Sequence, residues 1–285
     1  MSAPARIADR AGVPAALADP ALTMPRVPAG GPALGIQWLR RSVARFADGA
    51  EHDPRRRQVT SLLAGVAPAR LRRLATERTY DALDAIGGHP FDLMARVARV
   101  VPIDVLVAAL AMPPVPIDAV AVTARAYQPG SGAEEPADEA VVRLVEALGG
   151  VPDERTAARI GLLVQACDAT AGLIGNAALA MLRADTETDT ERPVDAIVAE
   201  TLLHDPPVRV TRRLASDTGA VVEIDLAAGG LPFGAGSHQC PGHGHATAIA
   251  AGVLESVRGC RLVDPQVRYE QSTALRVPIE LVVRR

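Results

Sequence analysis

The sequence has 285 residues, a length that predicts one or two domains. Its 30 basic residues nearly balance 33 acidic ones, which disfavours a nucleic-acid-binding surface because such a surface needs excess positive charge. Every basic residue is an arginine, so mechanisms that require a lysine are excluded. The three cysteines are too few for a disulfide scaffold, and the N-terminus lacks the apolar core of a signal peptide. The apolar stretch Val100–Ala124 is interrupted by Asp104, Asp118 and four prolines, so we do not expect it to span a membrane. We expect a cytoplasmic protein that binds neither nucleic acid nor membrane.

The N-terminal half of the sequence predicts helices after a loosely ordered beginning. Residues 1–35 are rich in Ala, Pro and Gly with little periodicity, which indicates a poorly packed lead-in. Residues 36–90 place apolar side chains at helical spacing, and residues 91–112 continue as helix with an interruption at Pro102. We therefore expect a loosely ordered lead-in followed by one domain over residues 36–285.

The strongest helix signal lies in the middle of the chain, between two polar loops. These loops are predicted at residues 129–138 and 185–193 from their composition. Between them, helix-compatible sequence runs from about Glu154 to Arg183 and is apolar almost all round. Such a pattern is typical of a helix that crosses the middle of a domain.

The C-terminal part mixes helices with short strands. It predicts a helix to about His204, a strand at Val221–Leu226, a glycine-rich segment at Gly229–Gly236, renewed helix after Pro241, and one or two strands over Leu275–Val283. The whole chain is therefore predicted to be mainly α with a minor β portion.

One segment carries the sharpest chemical signal, a glycine-rich turn that ends in Cys240. Pro241 suits the first position of the following helix, where its missing N–H is not needed. The dipole and free amide groups of a helix start favour the thiolate and lower a thiol pKa. Gly234 and Gly236 permit positive φ, so the backbone can fold around the sulfur. A thiolate held in this way can ligate iron.

The pattern Phe233-Gly-x-Gly-x-His238-x-Cys240-x-Gly242 resembles the haem-ligand signature of the cytochrome P-450 superfamily of haem-thiolate proteins. The resemblance extends from roughly residue 15 to the C-terminus. It includes segments similar to the family's central helix, to the stretch after its Glu-x-x-Arg helix, and to its propionate-binding helix: Leu162–Asn176, Asp205–Arg213 and Asp48–Arg56. It implies a truncated cytochrome P-450-like fold and a shortened, divergent member of the family.

By this resemblance the cofactor is haem b, and Cys240 is the metal ligand that supplies the axial thiolate. The remaining cofactor-binding residues that the resemblance implies are His52, Arg56, Arg213 and His238, which would pair with the propionates, and Phe233, Gly234, Gly236 and Gly242 of the loop. A guanidinium fork matches the geometry of a carboxylate.

The sequence departs from the family pattern beside the glycine-rich loop. The family's Glu-x-x-Arg falls at Glu200 and Leu203, so the arginine is replaced by leucine. The chain then passes directly from Leu226 to Pro232, without the family's meander and its arginine. Both partners of Glu200 are absent, and we expect Glu200 to be a solvated carboxylate on a remodelled surface.

The central helix departs as well. The family's acid–alcohol pair, which delivers protons to bound oxygen, aligns with Asp168 and Ala169, so the hydroxyl is missing. Thr170 follows one position later, about 100° further round a helix. Asp168 and Thr170 are nevertheless the candidate catalytic residues.

Two functions and one alternative metal site stay open. The first function is a haem-thiolate oxidoreductase, monooxygenase- or peroxygenase-type, which acts on a small secondary-metabolite-like substrate as in antibiotic biosynthesis and receives electrons from a ferredoxin-like partner. The second is an inactive, P-450-derived auxiliary protein that activates a partner glycosyltransferase. The alternative metal site is zinc bound by residues of the same cluster, namely His238, Cys240, His243 and His245.

Overall fold

Helices make up most of the structure, and the strands are few and short. The computed structural model describes residues 4–129, 134–183 and 192–285. The helices are α1 (Gly12–Ala18), α2 (Ile36–Ser42), α3 (Gly49–Ala64), α4 (Pro68–Ile86), α5 (Val101–Ala109), α6 (Ile117–Ala126), α7 (Glu134–Ala147), α8 (Glu154–Arg183), α9 (Val194–His204) and α10 (His243–Val257). The mainly α prediction is confirmed.

The strands form two small sheets. The strands are β1 (Ala5–Ile7), β2 (Leu22–Thr23), β3 (Phe91–Asp92), β4 (Val210–Ala215), β5 (Val221–Asp225), β6 (Arg261–Leu262) and β7 (Val282–Arg284). One sheet has the order β1-β5-β4-β2, and the other has the order β3-β7-β6. β1 runs parallel to β5, whereas the other neighbours are antiparallel. Three short helical pieces complete the chain: the 3₁₀ turns Ala44–Phe46 and Gly236–His238 and the π-helical segment Met94–Ala98.

Residues 5–23 are ordered against the sheet, which corrects the expected loose lead-in for this stretch. β1 pairs with β5, β2 pairs with β4, and Val13 of α1 is fully buried against Val222 and Ile224. Strands of two or three residues are too short to show an alternating pattern in the sequence. Only the partner strands, some 200 residues away, make this stretch fold.

α8 forms the centre of the helical body, with the bounds that the sequence predicts. It contacts α3, α5, α6, α9 and α10. By length and composition it is the one helix among the described residues that could span a membrane, but 72% of its most apolar window is buried inside the protein. The fold itself therefore covers its apolar surface.

Several other boundaries differ from the sequence predictions. The helical region of residues 36–90 is divided into α2, α3 and α4, and Pro102 lies in the first turn of α5 rather than interrupting a helix. α7 begins at Glu134, so the predicted loop over 129–138 is wrong from that residue onwards, and residues 130–133 lie outside the described parts. Most of the loop predicted at 185–193 also lies outside them.

A buried arginine joins α2 to α6 and α7. Arg40 is fully buried, and its guanidinium donates hydrogen bonds to the carbonyl oxygens of Ala126, Tyr127 and Gln128. Its Nη1 also lies 2.6 Å from Oε1 of Glu134. One side chain thus satisfies the C-terminal end of α6 and pairs with the first residue of α7.

We expect the Arg40–Glu134 pair to make stability depend on pH. The hydrogen bond from Arg40 lowers the pKa of Glu134 from its ordinary 4.5, so its stabilising effect is present above pH 4.5 and is lost as the pH falls through the lowered pKa. Glu134→Gln should therefore cost under about 1 kcal/mol at pH 7, because the carboxylate is partly exposed, and less in acid. Urea unfolding at pH 7 and at an acidic pH below the lowered pKa of Glu134 measures this difference in the free energy of unfolding. Glu135→Gln, at an exposed neighbour, is the control, and an equal pH dependence in both variants would contradict the assignment.

Close packing of α10 on α4 gives a second prediction. A Cβ at Gly252 would meet the Arg72 carbonyl oxygen inside van der Waals contact and would lie 3.0 Å from the Ala75 Cβ. Gly252→Ala should therefore destabilise the fold by about 1–3 kcal/mol in urea unfolding. Gly244→Ala, in the same helix with its nearest neighbour 3.9 Å away, is the matched control. It should be neutral or stabilising, because alanine has the higher helix propensity.

Candidate haem site

Cys240 lies in a tight loop between β5 and α10. Gly234 and Gly236 have φ of 68° and 71°, the left-handed region that favours glycine. The backbone N–H of Cys240 donates to the carbonyl oxygen of Phe233 at 2.9 Å, which closes the loop on itself. The two glycines and this hydrogen bond hold the cysteine at the end of the turn, as the sequence pattern suggests.

The surroundings of the sulfur differ from the sequence expectation. α10 begins at His243 with Gly242 as N-cap, so Pro241 precedes the helix and is not its first residue. Burial raises the pKa of the Cys240 thiol, and the backbone N–H of Gly242 and the charge of Arg56 only partly oppose this effect. The expectation of a lowered thiol pKa is therefore wrong for this chain without a bound metal, because desolvation is the larger effect.

Two predicted residues, His52 and His238, lie together. His52 is buried in the first turn of α3, and its ring centroid lies 4.4 Å from that of His238. Nδ1 of His52 is 3.3 Å from the Asp53 carboxylate, whereas its Nε2 is enclosed without a hydrogen-bond partner. A buried polar atom of this kind costs free energy unless a ligand satisfies it.

Two guanidinium groups lie beside these rings. Arg213 on β4 is buried, and its Nη1 donates to Oγ1 of Thr211, which lies two residues earlier on the same face of the strand. Nη2 of Arg45, in the 3₁₀ turn before α3, lies 3.5 Å from the same hydroxyl. Burial, followed by the charge of Arg45, lowers the pKa of Arg213 to about 10, against the opposing effect of Asp48.

We call the group formed by Arg45, His52, Arg213 and His238 the cationic cluster. Its two nearby carboxylates both face histidines: Oδ1 of Asp48 lies 3.3 Å from Nε2 of His238, and Oδ1 of Asp53 lies 3.3 Å from Nδ1 of His52. Burial, and then the charge of Arg213, keep the pKa of His238 below its usual range despite the contact with Asp48. Among the described residues, neither guanidinium group forms an ion pair with a carboxylate. The buried guanidinium of Arg213, the half-buried one of Arg45 and an unsatisfied imidazole nitrogen fit a ligand that carries carboxylates, as a haem does.

Arg56 is not brought into the cationic cluster, contrary to the expectation for it. Its Nη2 donates to the carbonyl oxygen of Gln239 at 2.5 Å, next to Cys240. The side chain therefore supports the cysteine loop from α3. Arg45 is not apparent from the sequence, because it lies outside the helical motif and reaches Thr211 only through the tertiary fold.

The middle of α8 has one uncovered face. Leu162, Ala166 and Ala169 are partly exposed and Gln165 is exposed, although most of the helix is buried. Their spacing of three and four residues puts them on one side of the helix. An open face in the middle of a core helix provides room for a ligand.

The two candidate catalytic residues lie away from the centre of this face. Thr170 is buried, one helical step beyond Ala169. Asp168 lies at the edge of the face, near the ion pair that Arg99 forms with Glu270. Burial, followed by the charge of Glu270, raises the pKa of Asp168, against the opposing charges of Arg99 and Arg125. The structure therefore gives α8 a carboxyl group that keeps a proton more readily than usual.

The surface around α9 differs from the expectation in one respect. Glu200 is not a lone solvated carboxylate, because Arg192 pairs with it from just before α9. Leu203, which stands where the family has arginine, is 58% exposed. It borders a polar cleft of about 510 Å³ that Arg6, Arg209 and other residues line.

The zinc alternative gains no support from the geometry. Nε2 of His245 donates to the carbonyl oxygen of Val66 at 2.9 Å. Nδ1 of His243 lies 3.3 Å from the carbonyl oxygen of Cys240. These rings are engaged with the backbone. Within residues 4–129, 134–183 and 192–285, no group of three His, Cys, Asp or Glu side chains could hold a metal ion.

Comparison with solved structures identifies the fold. The structure matches P450BioI in complex with an acyl carrier protein, with a TM-score of 0.77, 19% identity, and coverage of 98% of this chain and 91% of that one. The chain has the cytochrome P450 fold. The P450 monooxygenase TamI bound to tirandamycin C (TM-score 0.74, 20% identity) and the cytochrome P450 PksS of the Bacillus subtilis bacillaene polyketide synthase (TM-score 0.75, 16% identity) are also similar. Each alignment covers 98% of this chain and 89% of the other.

Sequence comparison finds no counterpart to this structural similarity. No model of a known protein family matches the chain, and no curated protein sequence matches it. The alignments with solved structures extend over about nine tenths of the other chains. The expectation of a shortened family member therefore stays a prediction.

The exposure of the three cysteines predicts a thiol-labelling pattern. Cys167 and Cys260 are buried, whereas Cys240 is partly exposed. A thiol reagent should therefore modify Cys240 first in the native, haem-free protein, more slowly than a fully exposed thiol because burial raises the pKa of Cys240, and should reach Cys167 and Cys260 after denaturation. Cys240→Ser should abolish this reaction of the native protein, and Cys260→Ser should leave it unchanged. Fast labelling of two or more thiols in the native protein would contradict the packing described here.

Proposed function

We propose that this chain is a haem-thiolate oxidoreductase of the monooxygenase or peroxygenase type. The observation that carries the proposal is the cationic cluster, which lies beside the Cys240 loop of a P450 fold and lacks enough carboxylates of its own. A ligand with carboxylates and a metal that accepts a thiolate would satisfy both features at once.

The cofactor in this proposal is haem b, with Cys240 as its axial ligand. When bound, the haem supplies the redox chemistry of the oxidation. The backbone N–H of Gly242 donates to the sulfur and stabilises the thiolate form. Phe233, Gly234 and Gly236 shape the turn around the cysteine, while His52, Arg213 and His238 bind the carboxylates.

Proton supply in this proposal depends on Asp168. Its raised pKa allows the carboxyl group to hold a proton on an Oδ atom at the edge of the open α8 face. Ala169 offers no hydroxyl to pass that proton on, and the Thr170 hydroxyl is buried. This arrangement favours an oxidant such as peroxide, which arrives with its own protons, over a relay from the protein.

The substrate class is a small organic molecule of the secondary-metabolite type, including antibiotic precursors. Similarity to TamI, solved with tirandamycin C, and to PksS of a polyketide synthase supports this class. The open face of α8 has small and amide side chains at Ala166, Ala169 and Gln165, which suit an organic substrate that makes few charged contacts. A cytoplasmic location and a ferredoxin-like electron donor belong to the same proposal.

A second candidate function is a catalytically inactive auxiliary protein that activates a partner glycosyltransferase. Leu203, which stands where the resemblance places an arginine, favours this alternative, because the ion pair of the family pattern cannot form there. Ala169 in place of the relay alcohol also favours a loss of oxygen chemistry. Both candidates share the fold and differ in whether the site holds haem.

The absorption spectrum of the purified protein tests the oxidoreductase. With haem bound through Cys240, the reduced, CO-bound protein should show the red-shifted band of a thiolate-ligated haem. Cys240→Ser should lose that band, whereas Cys260→Ser should keep it, since Cys260 is a buried core residue.

Three other outcomes would contradict the oxidoreductase, favour the auxiliary function or assign the iron ligand to another residue. A colourless protein that does not take up added haem would contradict it. Copurification of such a protein with a glycosyltransferase would support the auxiliary function. An unchanged band in Cys240→Ser would show that another residue ligates the iron.

A further inference from the structure

Arg45 is held rigidly beside Arg213. Its 3₁₀ turn is closed by a hydrogen bond from Ala47 N–H to the Ala44 carbonyl oxygen, and the next residue, Phe46, packs against Tyr127 with ring centroids 5.1 Å apart. The turn fixes the backbone at Arg45, and the contacts of the guanidinium group itself place it against the sheet.

The guanidinium of Arg45 lies between β4 and the residue that follows β2. Nη1 of Arg45 lies 3.6 Å from Sδ of Met24, just after β2, and Nη2 lies 3.5 Å from Oγ1 of Thr211 on β4. Arg213 donates to the same hydroxyl at 3.2 Å and to the Arg212 carbonyl oxygen at 3.1 Å. All of these acceptors are uncharged, so they do not neutralise either cation.

The two carboxylates near the cluster are engaged elsewhere, and Asp53 faces His52 with its Oδ1 3.3 Å from Nδ1 of that ring. Oδ2 of Asp48 accepts the backbone N–H of Met24 at 2.7 Å, and Oδ1 faces Nε2 of His238 at 3.3 Å. Within the described parts of the chain, neither Arg45 nor Arg213 forms an ion pair. Two guanidinium groups therefore face the same space without an anion between them.

Arg56 has a different position. It donates to the Gln239 carbonyl oxygen, and its charge acts on the Cys240 sulfur. The resemblance assigns a propionate to Arg56, but the side chain is committed to the loop that carries the cysteine.

We propose that Arg45, and not Arg56, is the second guanidinium that binds the haem carboxylates in this chain. This inference rests on the proposed function, because it assumes that a haem occupies the site. Arg45 and Arg213 would form a pair of cations on one side of the site, with His52 and His238 next to them. Arg56 would act as a positioning residue for the cysteine loop.

The test compares matched variants, Arg45→Gln and Arg56→Gln, in the full-length haem-free protein. The probes are protoporphyrin IX without metal, which has two carboxylates, and its dimethyl ester, which has none that can ionise. Because neither probe contains iron, ligation by Cys240 does not contribute. Binding is followed by fluorescence, and thermal unfolding confirms that each variant is folded.

We expect Arg45→Gln to weaken protoporphyrin IX binding about ten-fold or more, the effect of losing a charge-assisted hydrogen bond. Dimethyl ester binding should be unaffected. Arg56→Gln should leave the affinity for protoporphyrin IX within about two-fold, and Arg45→Lys should recover part of the loss because the charge returns. Higher ionic strength should weaken wild-type binding more than Arg45→Gln binding.

Three outcomes would overturn the inference. An Arg56→Gln loss that exceeds that of Arg45→Gln would return the role to Arg56. Equal losses for the free acid and the ester in Arg45→Gln would reveal a purely structural role for Arg45. A wild-type protein that binds neither the two porphyrins nor haem would refute the proposed function itself, and the inference with it.

Discussion

The rest of the structure is organised around α8, a thirty-residue helix that is apolar almost all round. Such a helix is soluble only when other elements cover its surface, and helices from both halves of the chain do so. Its buried polar residue Asn176 donates hydrogen bonds to the carbonyl oxygens of Asp205 and Arg276, which fix the segments after α9 and near the C-terminus. Gly172 and Gly175 let these segments approach closely.

The surrounding elements leave one face of α8 partly uncovered, and this open face has chemical consequences. The C-terminal half of α8 is closely packed, whereas the stretch with Gln165 and Ala169 is partly open. Buried like charges repel one another and lose their hydration, so the cationic cluster costs free energy as it stands. A protein keeps such a cluster when a ligand offsets the cost, and bound carboxylates would do so. One ligand that fits against the open face and carries carboxylates would therefore satisfy both features.

On the surface near α9, an ion pair compensates for a missing charge. Replacement of an arginine by Leu203 would leave Glu200 without a partner, yet Arg192 comes from the preceding segment and pairs with it. A half-exposed pair of this kind contributes little to stability. It nevertheless gives Glu200 a partner, and a cleft lies beside Leu203 on the same surface.

The sequence alone determined the features that depend on local pattern. The bounds of α8, the mainly α composition and the turn around Gly234, Gly236 and Cys240 follow from periodicity and from the φ values that glycine allows. The tertiary structure decided what depends on distant partners. It ordered β1 and α1 against β5 and brought Arg45 next to Arg213. It also placed Arg56 against Gln239 and buried the Cys240 thiol, so that desolvation raises its pKa. Strand pairing, desolvation and side-chain contacts join residues far apart in the chain, and no local pattern encodes them.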